Sequence, residues 1–188
     1  PPAVSLREGL PLYVVDNKSS DHSVNYIKEN FPKIKLIELS KNYGYALGYN
    51  IAVKKIRSDI YCFLNSDVRV TENWLNPIIE VFDNKPNVSI IQPKILDEKK
   101  PKKFEYSGAA GGFIDQLGYP YCRGRIFNTI ENDNSQYKNG EIFWGSGACL
   151  FVRSKLFDDL KGFDKDFFAH MEEIDFCWRA YNKGHVAY

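Results

Sequence analysis

Short apolar runs alternate with amphipathic stretches through the first half of the chain. Leu12 to Val15 is an apolar, β-rich run ending at Asp16-Asn17, which predicts a buried strand with polar groups at its end. Ser19, Ser20 and Asp21 are N-cap residues for a helix in which Val24, Ile27 and Phe31 recur at helical spacing; Pro32 ends it. Leu36-Ile37-Glu38-Leu39 predicts a second strand, and Asn42 to Asn50 leads into a helix reaching about Ile56. Ile60 to Leu64 is a third strand, nearly all apolar, as expected when helices cover both faces. It stops at Asn65-Ser66-Asp67. Thr71 then caps a helix with Trp74, Ile78 and Phe82 on one side, and Val88 to Ile91 is another apolar strand. Such alternation predicts an α/β layered fold with a largely parallel sheet and right-handed crossovers.

The pattern changes from Lys94 to Asn139. This stretch is rich in Gly, Lys, Asn and aromatic residues, with Gly108, Gly111 and Gly112 close together. It predicts long loops and short hairpins that build a surface. Ala148 to Val152 returns to strand, Ser154 starts a short helix, and Glu172 to Asn182 is a helix ended by Gly184. No internal repeat or low-complexity segment interrupts the chain.

Composition narrows the functional classes. The 188 residues suit one domain. Lys plus Arg is 25 against 24 for Asp plus Glu, a net charge of +1, with no arginine-rich stripe; nucleic acid is not an expected partner. Aromatic residues make up 15% and concentrate between Phe104 and Trp178, as expected for a core plus a surface on which rings stack. Cys62, Cys122, Cys149 and Cys177 lack metal-ligand spacing and read as buried free thiols of a reducing compartment. No signal peptide or membrane-spanning run appears, and Pro1-Pro2-Ala3-Val4 does not read as a native start.

Candidate chemistry falls at strand ends and at one helix start. In open α/β sheets, ligands bind beyond the carboxyl ends of strands. Asp16 there fits either a hydrogen bond to a base N–H or a turn cap. Asn65-x-Asp67 fits either a divalent ion carrying a diphosphate or an ordinary turn. Gly44 and Gly48 share a helix face with Ala52, which suits ligand approach or tight helix packing; the spacing is neither a P-loop nor GxGxxG. Glu172-Glu173-x-Asp175 follows Phe167-Phe168-Ala169-His170-Met171. Mutual repulsion and aromatic burial would raise these carboxyl pKa values and suit a general base, while an acidic first turn alone also complements the helix dipole.

Taken in order, the motifs resemble the family 2 glycosyltransferases, inverting enzymes with the GT-A fold, and in particular a bacterial rhamnosyltransferase-like branch. The likeness runs from Val14-Val15-Asp16-Asn17-x-Ser19-x-Asp21 through Asn42-x-Gly44-x-Ala46-x-Gly48-x-Asn50 and Leu64-Asn65-Ser66-Asp67-Val68. It continues through Gly145-Ser146-Gly147-Ala148-Cys149-Leu150-Phe151-Val152-Arg153 and Gly162-Phe163-Asp164 to Phe168-x-x-x-Glu172-Glu173-x-Asp175-x-Cys177-Trp178-Arg179. The resemblance implies a GT-A fold with a mostly parallel central sheet, here as one domain over residues 1–188. The family pattern also has an apolar strand before the Asp16 strand and a segment after the Glu173 helix, so the domain is expected to be truncated at both ends.

The resemblance also implies roles. Asp16 and Asn17 would meet the nucleotide base, and Asn42, Gly44, Gly48 and Asn50 would line the donor pocket. Asp67 would be the metal-binding acid of a DxD motif whose first acid is Asn65 here, with Mg or Mn as the ion. Glu173 would be the base, with Glu172 or Asp175 as the fallback, since the family usually carries Asp at that position. Trp144, Gly145 and Gly147 would border the acceptor; Arg153, His170 and Trp178 fit a site role or a structural one. The substrates would be a nucleotide-sugar and a glycan or lipid-linked acceptor in cell-surface polysaccharide synthesis. The expected location is cytoplasmic, with peripheral contact at the inner membrane face left open. The rival expectations are a non-catalytic carbohydrate- or nucleotide-binding domain of the same fold and a sugar-nucleotidyltransferase, which would need a glycine-rich basic loop.

Overall fold

A computed structural model describes residues 10–188; the sequence feature at Pro1–Val4 lies outside the described residues. The first unit is a βαβ crossover: β1 (Tyr13–Asp16), α1 (Ser23–Asn30) and β2 (Lys35–Glu38), the two strands parallel and in register from Tyr13↔Lys35 to Asp16↔Glu38. Helix α2 (Gly44–Val53) then leads to β3 (Ile60–Leu64), α3 (Leu75–Asn84) and β4 (Val88–Ile91). Two small hairpins follow, β5 (Gly112–Ile114) with β6 (Pro120–Cys122) and β7 (Arg125–Ile126) with β8 (Thr129–Ile130). The chain returns through β9 (Cys149–Arg153), α4 (Ser154–Asp159), α5 (Glu172–Tyr181) and β10 (Val186–Ala187).

The α/β layering is as expected, but the sheet is mixed rather than mostly parallel. The larger sheet has the order β10-β4-β9-β3, and β9 runs antiparallel to both neighbours. Strands β1 and β2 form a separate two-stranded sheet. Among the described residues, β3 therefore pairs on one side only, although its sequence Ile-Tyr-Cys-Phe-Leu is apolar throughout. Cys62 on this edge strand is exposed, unlike the other three thiols, which corrects the expectation of four buried cysteines.

Helix α2 connects the two sheets. One side carries Ala46 and Val53 into a core with Phe63, Leu150, Phe157, Phe163 and Phe176; another packs Ala52 on Ile37, beside Val15. The main core is aromatic: Phe63–Phe157, Phe157–Phe163 and Phe163–Phe176 have centroid separations of 5.1, 5.2 and 5.3 Å. Such spacing suits the ring quadrupoles as well as area burial. On the opposite sheet face, Ile78 and Phe82 of α3, one helical turn apart, pack on Val88, Ile91 and Phe151. Helix α3 starts at Leu75, not at Thr71; Asn73 takes a left-handed φ of 56° and delays the helix. Helix α2 ends at Val53, three residues before Ile56, in a turn where the Ile56 N–H donates to the Val53 carbonyl at 2.9 Å.

Candidate functional site

The segment Gly145–Ala148 is the hub of the polar region. It precedes β9, and four contacts fix its backbone. The Gln92 side chain, just past β4, accepts from the Ser146 N–H at 2.8 Å. The Tyr45 hydroxyl donates to the Gly147 carbonyl at 2.6 Å. The Asn65 N–H donates to the Ala148 carbonyl at 3.0 Å, joining the end of β3 to the same segment. The Ser146 hydroxyl accepts from the Ala148 N–H at 3.3 Å. Gly147 thus lies beside the start of the Asn65-Ser66-Asp67 turn and under the Tyr45 hydroxyl.

Helix α5 starts from a strained entry. His170 and Met171 both have φ of 73°, a left-handed conformation that costs roughly 1–2 kcal/mol for each non-glycine residue. Glu172 follows at 4% exposure, with its Oε2 shielded and without a hydrogen-bond partner. Glu173 Oε2 is likewise shielded and unpartnered. Burial pushes the Glu172 carboxyl above the usual range, and the Glu173 charge adds to the shift. Burial also raises Glu173, against the stabilising pull of backbone groups including Gly147. Buried polar atoms without partners are rare enough to need a reason, and a site for proton transfer is one. Asp175 is different: its carboxylate pairs with Arg179 at 2.8 Å, and Arg179 also donates to the carbonyls of Leu160 and Gly162. Asp175 is thereby occupied in joining α5 to the loop after α4, which removes it as a fallback base.

Several residues expected in the donor pocket are engaged in the scaffold instead. Asp16 accepts from the Ser19 N–H at 3.2 Å, the turn-cap arrangement. The Asn17 amide donates to Asn42 and to the Gly44 carbonyl and accepts from the Tyr43 N–H, so Asn17 and Asn42 together brace the start of α2. Gly48 packs beside the Asn17 side chain, where a Cβ would lie in ordinary van der Waals contact, 3.5 Å from its nitrogen. Asn50 makes a two-way bond with the Phe163 backbone, donating at 2.7 Å and accepting at 3.0 Å. Gly44 has φ of +73°, and a Cβ on it would collide with the Phe168 carbonyl oxygen. Trp144 is buried, its indole N–H donating to the Phe113 carbonyl, so it supports the hub rather than lining a surface. Arg153 is also structural, donating to the carbonyls of Val88 and Phe82, whereas Trp178 is exposed and His170 belongs to the strained entry. His185, in the loop between α5 and β10, has its Nδ1 2.8 Å from the Ser89 hydroxyl.

Asp67 stands apart. It is exposed in the turn after β3, and among the described residues no group of three or more His, Cys, Asp or Glu side chains could hold a metal ion. One carboxylate with the Asn65 amide two residues away suits an ion that takes most of its ligands from phosphate oxygens and water. Asp67 and Asn65 are therefore donors of the kind that would hold a Mg or Mn ion arriving with a diphosphate. Two participants escaped the sequence reading. Gln92 carried a signal, a polar residue directly after the apolar run Val88–Ile91; Tyr45 carried none beyond its place in the Asn42–Asn50 segment.

Comparisons with known proteins identify the fold and the family. The sequence is 24% identical over 172 residues to the low-salt glycan biosynthesis hexosyltransferase Agl10 of Haloferax volcanii, covering 89% of this chain and 52% of that protein. It is 23% identical over 193 residues to the N-acetylglucosaminyl-diphospho-decaprenol L-rhamnosyltransferase of Mycobacterium tuberculosis, covering 92% and 62%. The chain thus spans about half to two thirds of the length of these relatives. Among solved structures, it superimposes on GalNAc-T7 with UDP, GalNAc and Mn2+ at a TM-score of 0.68, with 13% identity and coverage of 94% and 35%. It matches the mannosyltransferase PcManGT of Pyrobaculum calidifontis, in complex with GDP-Man and Mn2+, at 0.64, with 15% identity and coverage of 97% and 46%. The α/β arrangement is accordingly the GT-A fold. The profile of glycosyl transferase family 2 matches residues 7–161, most of the chain, and the chain belongs to that family.

Proposed function

We propose that this domain transfers a sugar from a nucleotide-sugar donor to a glycan or lipid-linked acceptor, with inversion at the anomeric carbon, in the synthesis of a cell-surface polysaccharide. The observation that carries the reading is the pair of carboxylates at the start of α5, each with one shielded oxygen that has no hydrogen-bond partner. Glu173 takes the proton of an acceptor hydroxyl as that oxygen bonds to the anomeric carbon; the bond from that carbon to the diphosphate breaks on the opposite face. Burial raises the Glu173 pKa, the direction that makes a carboxylate a stronger base. Asp67, with Asn65, holds the donor's diphosphate end. A bound Mg or Mn ion supplies charge neutralisation of the departing diphosphate.

The relatives' names support the acceptor class, since one acts on a decaprenol-linked sugar. Such an acceptor supports a reading in which the enzyme works at the inner face of the cytoplasmic membrane. No helix among the described residues is long and apolar enough to cross a membrane. The test uses the complete gene product. UDP, dTDP and GDP are titrated with and without Mn2+, and transfer is followed for the parent, Asp67→Ala and Glu173→Gln. Asp67→Ala should lose Mn-dependent nucleotide binding. Glu173→Gln should keep it and lose roughly 100-fold or more in transfer rate. Full transfer by Glu173→Gln would remove the base assignment, and binding of none of the nucleotides would remove the donor reading.

A further inference from the structure

The hairpin β7–β8 ends in two apolar side chains that stand out from the described fold. Ile126 pairs with Thr129, so Phe127 and Asn128 form a two-residue turn. Ile126 is 66% exposed and Phe127 is 87% exposed, the highest value of any large apolar side chain described. Phe127 also takes a left-handed φ of 50°. Hairpin turns with φ above zero at that position favour Gly, Asn or Asp, and an aromatic residue there is strained. Folding gives no reason for this side chain, because it neither packs nor suits its own backbone. Strain of that kind collects where a segment has a task besides stability.

Positive charge lies directly behind the tip. From Gln116 to Ile130 the chain carries Arg123 and Arg125 and no carboxylate. The Arg125 guanidinium donates to the Phe127 carbonyl at 3.4 Å and stands over the Tyr106 ring, 4.0 Å from its centroid. Tyr106 is itself half exposed. Among the described residues Arg125 has no salt-bridge partner. The carboxylates next along the chain are turned elsewhere: Glu105 accepts from the Ser107 N–H, and Glu131 accepts from Gln136 and Tyr137. An apolar tip backed by a phenol and a cation on an apolar stem is the sequence of groups found across a membrane interface. We propose that the β7–β8 tip is a membrane anchor: Ile126 and Phe127 enter the acyl boundary of a bilayer, and Arg125 meets anionic lipid headgroups. A specific protein interface takes about 800 Å² from each partner, and two side chains on a convex tip supply only a fraction of that. A bilayer receives such a tip without a matching shape, and its anionic headgroups complement Arg125. The inference rests on the reading that puts the enzyme at a membrane face, and it adds which surface meets the lipid.

The test uses the complete gene product and sedimentation with vesicles of phosphatidylcholine, with and without phosphatidylglycerol. The parent should bind the phosphatidylglycerol vesicles more tightly. Phe127→Asn should weaken that binding roughly ten-fold or more, the effect of one large apolar side chain no longer leaving water. It should melt no lower than the parent, because Asn tolerates the left-handed turn position. Arg125→Gln should weaken binding by about five-fold on phosphatidylglycerol vesicles and change little on phosphatidylcholine alone. Phe127→Trp reports the surroundings of the tip directly: its added emission should be that of a hydrated indole in buffer, shift to the blue with vesicles, and be quenched by brominated phosphatidylcholine. If the added emission is already blue-shifted without vesicles, another part of the protein or a second copy covers the tip, and the inference is overturned. If the parent binds vesicles and Phe127→Asn binds them equally well, the membrane reading stands and only the role of the tip is refuted. If the parent binds neither kind of vesicle, the membrane reading fails and takes this inference with it.

Discussion

Replacing Gly44 with alanine probes the junction between scaffold and site. Gly44 opens α2 at φ +73°, and a Cβ there meets the Phe168 carbonyl oxygen and approaches its ring carbon Cδ2 to 2.7 Å. The left-handed backbone alone costs alanine roughly 1–2 kcal/mol. Relief of the collision requires Phe168 to move, which breaks the Tyr45 N–H···Phe168 bond at a further cost of about 1 kcal/mol. The sum is about 2–3 kcal/mol, reduced by at most ~1 kcal/mol because alanine restricts the unfolded chain. The net cost is about 1–3 kcal/mol, and for a domain of this size each kcal/mol shifts the melting temperature by about 2–4 °C, so Gly44→Ala should melt roughly 2–12 °C lower. Thermal melts by circular dichroism measure this directly. Gly140→Ala is the internal control, since nothing lies within 4 Å of a Cβ there; its melt should match the parent. A Gly44→Ala melt within about 1 °C of the Gly140→Ala melt would refute the packing argument. The displaced Phe168 segment also feeds α5, so transfer by the folded variant should fall further than its residual stability explains.

Two further predictions separate the α5 carboxylates. Burial raises the Glu172 pKa above its ordinary value of 4.5, so in that pH range the folded state binds more protons than the unfolded one. Stability therefore falls as pH rises from about 4.5 through the raised folded value. Glu172→Gln should melt higher than the parent at pH 7.5, with the gain disappearing toward pH 4; an equal shift at both pH values would contradict the assignment. Asp175→Asn breaks the ion pair with Arg179 but touches no shielded carboxylate. It should lower the melting temperature and leave transfer within about three-fold of the parent, whereas loss of transfer comparable to that of Glu173→Gln would return Asp175 to the chemistry.

Much of this architecture was legible in the residues, and the exceptions have physical causes. The runs Ile60–Leu64 and Val88–Ile91 appear as strands at those boundaries, and α5 begins at Glu172. Apolar runs flanked by polar turns carry that information locally. Strand direction is not local: the Ala148–Val152 run gave no sign that β9 would pair antiparallel with both β3 and β4. The family motifs fall in one polar region of the fold, yet they do not separate ligand contacts from scaffold contacts. Asn17 and Asn50 use their amides on backbone groups far along the chain, and Asn42 accepts from the Asn17 side chain 25 residues away; nothing in their immediate neighbours announces such partners. Asp175 read like its acidic neighbours because the ordinary i,i+4 pairing with Arg179 gains its further anchors only when Leu160 and Gly162 arrive.

The division of the sheet has a consequence for motion. The β1-α1-β2 unit has two strands, too few for independent stability in water, and it is attached to the rest through α2 and the Asn17 contacts. Its amides should exchange with deuterium through a local opening well below the cost of global unfolding, while β9, paired on both sides, exchanges last. Asp16 and Asn17 ride on the first of these units and Gly147 on the second. The two sides of the polar region are therefore expected to breathe at different rates. A nucleotide that bridged them would register as slowed exchange in Tyr13–Asp16, far from any change in β9 itself.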